Sequence, residues 1–329
     1  MERRYLIVPL TILLLSLPVS LPAQGEIAEW FGPDLGKSKA AFSYRATVVP
    51  SQDVERQNTG WRATDHDALL YAPIRQDENS EWSAAARLKA YDVKTDAVLP
   101  STGGGFPGTL WDMEFGSLYR RRLENGWIGG IATGVGSASD KPFQSFDETT
   151  LDVTAFTRIP DGGRNAWLVL VNFNNNREFL RNIPLPGVGY WYEPGDRFRA
   201  IIGVPFLYMA VRPISDVTLD LAYFPIRRIH AGASYLVLTS VKLYGAFDWR
   251  TERYFRADRT DRDRRLFYYE KRLAAGCQWR TGEHLTLDLS GGYAFDRMFF
   301  EGEDYGDRDF NRIDIASGPF ISIQAAFRF

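Results

Sequence analysis

The chain has 329 residues, with 39 Lys and Arg against 41 Asp and Glu, and a single cysteine. A net charge of -2 gives no electrostatic case for nucleic acid, 24% charged residues argue against disorder, and the lone Cys277 excludes an intramolecular disulfide. The 14% aromatic content is high, and membrane interfaces are one place where rings with polar edges are needed.

The chain opens MERRYLIVPLTILLLSLPVSLPAQG. Arg3 and Arg4 give a positive start, Tyr5 to Leu21 an apolar run, and Ala23 a small residue at a cleavage point. That is the pattern of a secretory signal peptide over 1–23. Pro18 and Pro22 weigh against a retained anchor helix. Beyond Ala23 no run of about 18 apolar residues offers a transmembrane helix. No repeat, linker or composition break divides the remainder, so 24–329 reads as one domain.

Period two then dominates. Phe42, Tyr44, Ala46 and Val48 alternate with Ser43, Arg45 and Thr47; Trp82, Ala84, Ala86 and Leu88 alternate with Ser83, Arg87 and Lys89. The pattern recurs at Trp111–Arg120, Leu151–Ala155, Asp216–Tyr223, Val241–Arg250 and Leu285–Asp296. Each such strand has one apolar and one polar face. Many run about 10 residues or more, enough to cross a bilayer at a tilt. Rings cluster near their ends (Trp82, Trp111 with Tyr119, Trp167 with Phe173, Trp249, Trp279), as in an aromatic girdle.

Strands are predicted at 38–49, 66–74, 82–93, 110–121, 126–137, 149–159, 165–174, 197–205, 216–224, 229–237, 240–255, 265–279, 284–299 and 317–329. That gives an all-β, antiparallel, up-and-down transmembrane barrel of about 14 strands, or about 12 if the Pro225 region is miscounted. Long gaps near 50–65, 94–109, 138–148, 175–196 and 301–316 alternate with short ones such as Asn125-Gly126 and Thr281-Gly282-Glu283. With both termini periplasmic, the long gaps face outside. The chain ends ISIQAAFRF, with Ile321, Ile323, Ala325, Phe327 and Phe329 on one face. A last strand ending in Phe resembles the sorting signal read by the barrel-assembly machinery, so Phe329 is the candidate assembly signal.

Two stretches, PGVGYWYEPGDRFRAIIGVPF at Pro186–Phe206 and LSGGYAFDRMFF at Leu289–Phe300, are similar to a family of uncharacterised bacterial outer-membrane β-barrel proteins. The resemblance implies an outer-membrane barrel and no substrate.

The polar faces carry the candidate site. Read by parity, Arg45, Arg87, Lys89, Asp112, Glu114, Arg120, Asp152, Arg158, Arg197, Arg199, Asp216, Asp220, Arg228, Lys242, Asp248, Arg250, Glu270, Arg272, Asp288 and Asp296 point inward. On the lipid side each Arg or Lys would cost about 2–4 kcal/mol at mid-bilayer, so they line a lumen. A lumen of balanced charge is either a wet pore or a salt-bridged closed interior; the strand count favours the pore. Lys271 falls on the apolar face and fits only if it snorkels near an interface.

Catalytic constellations are weak. His66 stands between Asp65 and Asp67, but strand neighbours point to opposite faces. His230 has no carboxylate near it in sequence, and His284 sits at a turn. No Gly-x-Ser-x-Gly or His-Glu-x-x-His motif is present. EGEDYGDRDFNRID at 301–314 lacks EF-hand spacing. RADRTDRDRRLF at 256–267 reads as a salt-bridged outer loop rather than a lipid-phosphate site, and STGGGFPG at 101–108 as a flexible loop or one folded into the lumen. The expectation is an exported outer-membrane barrel, porin-like, for small polar solutes or ions. The alternatives are a closed structural or adhesive barrel with functional loops and, third, an outer-membrane hydrolase. No cofactor, metal or nucleic acid is expected; the expected partners are membrane lipid and the assembly machinery.

Overall fold

A computed structural model describes residues 31–177 and 180–329, so the leader expected over 1–23 lies outside the described residues. Each alternating stretch forms a strand, and every ladder is antiparallel to its sequence neighbour. The strands are β1 (Ala41–Asp53), β2 (Gly60–Gln76), β3 (Ser80–Lys94), β4 (Thr109–Arg122), β5 (Ile128–Ser139), β6 (Thr149–Pro160), β7 (Ala166–Asn174) and β8 (Leu185–Gly195). They continue as β9 (Phe198–Val204), β10 (Leu207–Val211), β11 (Val217–Phe224), β12 (Arg228–Leu238), β13 (Val241–Tyr254), β14 (Arg265–Thr281), β15 (Leu285–Gly302), β16 (Arg312–Ile315) and β17 (Gly318–Arg328).

The last strand pairs with the first, from Ala41 opposite Arg328 to Val48 opposite Ile321, and closes the sheet. The short β16 pairs with β15 beyond the reach of β17 and adds no position to the ring, so the closed barrel has 16 strands. This corrects the expected count. The additional strands are β8 and β10. LPGVGYWYEPG carries Pro186 and Pro194 among three glycines and reads as loop, and LYMAV is too short and too uniformly apolar to alternate. Because two strands were missed, the long loops still share one end, but the alternation of long and short fails between β8 and β13, where the connections 196–197, 205–206, 212–216, 225–227 and 239–240 are all short. Turns such as 77–79, 161–165 and 282–284 gather at one end with Ala41 and Arg328, and the long loops at the other.

Outward side chains are apolar and exposed, Phe115, Leu289 and Ile323 among them. At the short-turn end the outward face carries rings: Trp82 opposite Tyr119, Trp167 edge-on to Tyr190 at 4.9 Å, and Trp279. The wall is uneven. β9, β10 and β11 have 7, 5 and 8 residues, whereas β13, β14 and β15 have 14, 17 and 18.

The tall strands do not stand upright. At its outer tip β13 meets β5, the strand diametrically opposite it in the ring: the Phe255 N–H donates to the Ala138 carbonyl at 2.7 Å, and the Asp140 N–H to the Phe255 carbonyl at 3.2 Å. Beneath this crossing the inner faces of β1–β4 and β14–β17 press together. Trp61, Tyr91, Phe106, Tyr268, Phe299 and Phe320 form an apolar core inside the long-loop end.

Candidate functional site: an ion-paired lumen with two covers

Below the apolar core the inward faces are ionic. Glu270, with 0% of its side chain exposed, lies 3.2 Å from Arg250 and 3.2 Å from Arg297, touches Arg272, and accepts from the Tyr268 hydroxyl at 2.5 Å. Arg250 also reaches Asp65 and Glu252, each at 3.2 Å. Lys89, 2% exposed, sits 3.6 Å from Asp65 and bonds Glu252. Lys89 is on β3 and Glu252 on β13, so this knot spans the lumen rather than running along the wall. A buried charge is tolerated only when paired, which accounts for the density of partners here.

Other pairs follow the wall. Arg87 forks onto Asp67 at 2.9 and 3.1 Å, Arg199 onto Glu193 at 2.9 and 3.0 Å with its guanidinium 4.8 Å over Trp191, and Arg45 bonds Gln324. Asp152 accepts from Asn172 and Asn174, Asp288 from Tyr244, and Arg158 lies 5.7 Å over Trp191. Asp112, Glu114, Asp220, Lys242 and Asp248 also stand on inward positions. Glu114 faces inward and keeps accessible surface, so the lumen holds open space at mid-height. Gly134, set diagonally from it on β5, makes room for it: a Cβ built there would lie 2.4 Å from the Glu114 carboxylate.

Three expected lumen charges are placed elsewhere. Arg197 and Asp216 lie in exposed short turns, between β8 and β9 and before β11, because those strands begin later than the alternation suggested. Asp296 sits in a β-bulge, where Glu270 alone opposes Asp296 and Arg297. Its φ of 50° turns it outward, 2.6 Å from Lys271. The bulge explains the lysine on the apolar face and brings Arg297 inward in place of Asp296.

The parity reading missed Asp65, Asp67, Glu81, Glu193, Glu252 and Arg297. It also missed the partners of His230, which lies buried between Asp220 at 2.8 Å and Asp248 at 2.9 Å. Register supplies them: across the 239–240 turn His230 falls opposite Asp248. Carboxylates only accept, so both ring nitrogens donate and the imidazole is cationic there. His66 faces outward, its Nδ1 2.7 Å from the Tyr44 hydroxyl and its Nε2 3.7 Å from Asp92, out of reach of its two sequence neighbours. His284 Nδ1 meets the Arg328 carbonyl. Among the described residues no histidine bonds a serine, threonine or cysteine, and no acidic cluster holds metal-site geometry.

Two covers bound the lumen. At the long-loop end the 255–264 loop lies across the mouth on the opposite rim. Ala257 N–H donates to Asp140 at 2.8 Å; Arg259 donates to the Asp147 carbonyl at 2.9 Å and stands 3.6 Å from Glu148; Arg262 lies 3.2 Å from Asp147. Arg265 donates to Asn176 at 2.9 Å. RADRTDRDRRLF is thus a salt-bridged loop, and STGGGFPG folds inward, its Phe106 ring 4.7 Å from Trp61. Asp304 and Asp307 of the acidic loop accept from main-chain N–H groups.

At the short-turn end residues 31–38 enter the barrel. Phe31 is fully buried and edge-on to Phe156 at 5.1 Å, within a cluster that includes Leu118 and Ala132. Arg120 donates to the Gly32 and Asp34 carbonyls, each at 3.3 Å, and Arg122 to Pro33 at 2.9 Å. Glu81, paired with Arg120 at 2.9 Å, accepts from Gly36 N–H and from the Ser38 hydroxyl. Beside them the Asp77 carboxyl, in the β2–β3 turn, is held below the usual carboxylate range by the Asn79 and Ser80 donors.

No protein-family model matches the chain, so the resemblance to an uncharacterised barrel family is left without a match, and no curated protein matches either. Solved structures with some likeness include an outer-membrane channel of Pseudomonas putida F1 (10% identity, TM-score 0.39, 88% of this chain and 96% of that one). Others are the β-domain of the Bordetella autotransporter BrkA (13%, 0.34, 89% and 100%) and the CymD monoaromatic hydrocarbon channel (11%, 0.33, 89% and 89%). The likeness is weak throughout, and the barrel assignment stands on the strand pairing itself.

Proposed function

We propose that this chain is an outer-membrane barrel acting as a gated, porin-like conduit for small polar solutes or ions, its long loops outside and its short turns in the periplasm. Lipid contacts the apolar outer face, and the strand ending in Phe329 is the segment read on assembly. The observation that carries the conduit reading is Glu114, inward-facing with accessible surface at mid-strand, which marks open space in the lumen between the two covers. The exposed Arg262–Asp147 pair is worth about 0–1 kcal/mol, so the buried Arg259–Glu148 pair and the main-chain bonds at Phe255 carry most of the hold of the outer cover. A second reading, a permanently closed barrel with its function in the loops, is favoured by the Lys89–Glu252 crossing and the apolar core.

The test is single-channel conductance of the refolded protein in a planar bilayer with a KCl gradient. The parent is expected to give rare steps and the Arg259→Ala/Arg262→Ala variant frequent, discrete ones. Charge reversal at Arg199 and Asp220 then shifts the reversal potential. Folded, heat-modifiable barrels that never conduct in either form would remove the conduit reading and leave the closed one.

A further inference from the structure

Residues 31–38 are inside the barrel without being part of it. Strand neighbours in the wall are joined by main-chain ladders. Among the described residues, no main-chain group of 32–39 bonds another main-chain group. The segment is gripped by wall side chains instead: Arg120 and Arg122 on three of its carbonyls, Glu81 on Gly36 N–H and Ser38, and the Phe156 cluster around Phe31. It can therefore leave without opening one bond of the sheet. Its contacts come from β2, where the Gln76 side chain donates to the Ser38 carbonyl at 3.1 Å, from β3, β4, β5 and β6 and from the β2–β3 turn, one side of the short-turn mouth.

The grip takes the segment's main chain, the Phe31 ring and the buried Leu35 side chain. Arg120 and Glu81, 5% and 1% exposed, form an ion pair whose outer lobes face the segment's carbonyls and N–H groups. Such groups recognise an extended backbone whatever its side chains. Gly36 sets the path: its φ is 72°, and a Cβ built there would lie 2.4 Å from the Asp77 carbonyl oxygen. Only glycine follows this turn against the wall.

We infer that residues 31–38 are a displaceable internal plug that narrows the periplasmic mouth, docked by Phe31 and by the Arg120–Glu81 pair. This rests on the conduit reading for its effect on passage, and on contacts alone for the docking. Release widens the mouth on the β3–β6 side and uncovers Leu118 and Phe156.

The experiment uses Gly36→Val, which collides with the Asp77 carbonyl but alters no wall residue. Phe31→Ala serves as the second variant should the first not assemble. Each is made with Leu118→Cys and Cys277→Ser, and folding is checked by heat-modifiable gel mobility. A membrane-impermeant maleimide reports on Leu118→Cys from the short-turn side. Conductance is read in the Arg259→Ala/Arg262→Ala background, where the outer cover is released. The expected result is slow labelling with native Gly36, labelling at least about tenfold faster in Gly36→Val or Phe31→Ala, and a larger unit conductance. Unchanged labelling in both variants overturns the plug. Faster labelling with an unchanged conductance, in a background that does conduct, overturns its role in passage while the conduit reading stands. If no background conducts, the conduit reading falls, and the labelling alone decides whether the segment is a removable cover.

Discussion

Glu270 shows what this interior asks of a single side chain. It is fully buried and is met by Arg250, Arg272 and Arg297 from three strands, with the Tyr268 hydroxyl donating to the same oxygen, Oε2, that Arg297 approaches. Remove its charge and three guanidinium groups share what is left. Breaking a buried pair from one side costs about 3–5 kcal/mol, chiefly from the cation left uncompensated. Glu270→Gln, which keeps the shape, is expected to lose about that much, read as a lower urea midpoint for unfolding from lipid vesicles. A loss under about 1 kcal/mol would mean that water, not Glu270, solvates these arginines. The same residue marks how far sequence reached. Its inward direction followed from period two, but its partners did not, because Arg250 and Arg297 are fixed by register across two turns. His230 is the sharper instance: nothing near it in sequence is acidic, while Asp248 faces it once the 239–240 turn is taken as the origin of the pairing.

At the scale of an element, the bulge in β15 decides more than its one extra residue suggests. Up to Ala294 the even positions face in; from Arg297 onward the odd positions do. The apolar core uses Phe299, and Glu270 uses Arg297, only because of that switch. Asp296→Gly keeps a residue that accepts the φ of 50° and loses the surface pair with Lys271 and a 3.4 Å hydrogen bond from the Tyr269 hydroxyl. Its stability is expected to change by less than about 1 kcal/mol. Deleting Asp296 takes out the doubled step: Phe295 is then followed by Arg297, which falls inward opposite Glu270 by plain alternation, and Phe299 keeps its place in the core, so a heat-modifiable barrel is expected on gels. A deletion variant that does not fold would show that the tip of β15 needs the twist of the bulge as well as its register. The bulge was invisible in the sequence because alternation carries no mark of a doubled step. β8 was invisible for the opposite reason: Gly187 and Gly189 leave space for Leu170 and Phe206 on the inner face, and residues chosen for what they leave empty look like loop. Long strands with full alternation, such as β3 and β13, were legible because both of their faces have strongly different solvents.

For the whole molecule, the two ends are closed by different means. The outer mouth is crossed by a hairpin that belongs to the wall and leans over it; the inner one holds a segment that the wall merely grips. The uneven height of the wall has a consequence for the membrane rather than for the protein. A strand of 5 residues such as β10 reaches about 17 Å along its own axis and, tilted near 45°, about 12 Å along the bilayer normal, against an apolar band of about 25 Å. Lipid beside β9, β10 and β11 cannot keep its resting thickness without wetting its tails or meeting polar main chain, so the bilayer must dip on that side alone. A dent in the lipid annulus is therefore expected beside the low wall. Refolding is expected to go faster and further in vesicles of short-chain phosphatidylcholine than in long-chain ones, and equal yields across chain lengths would show that the dent is filled by protein. Two such barrels that faced their dents toward each other would share one deformation instead of imposing two.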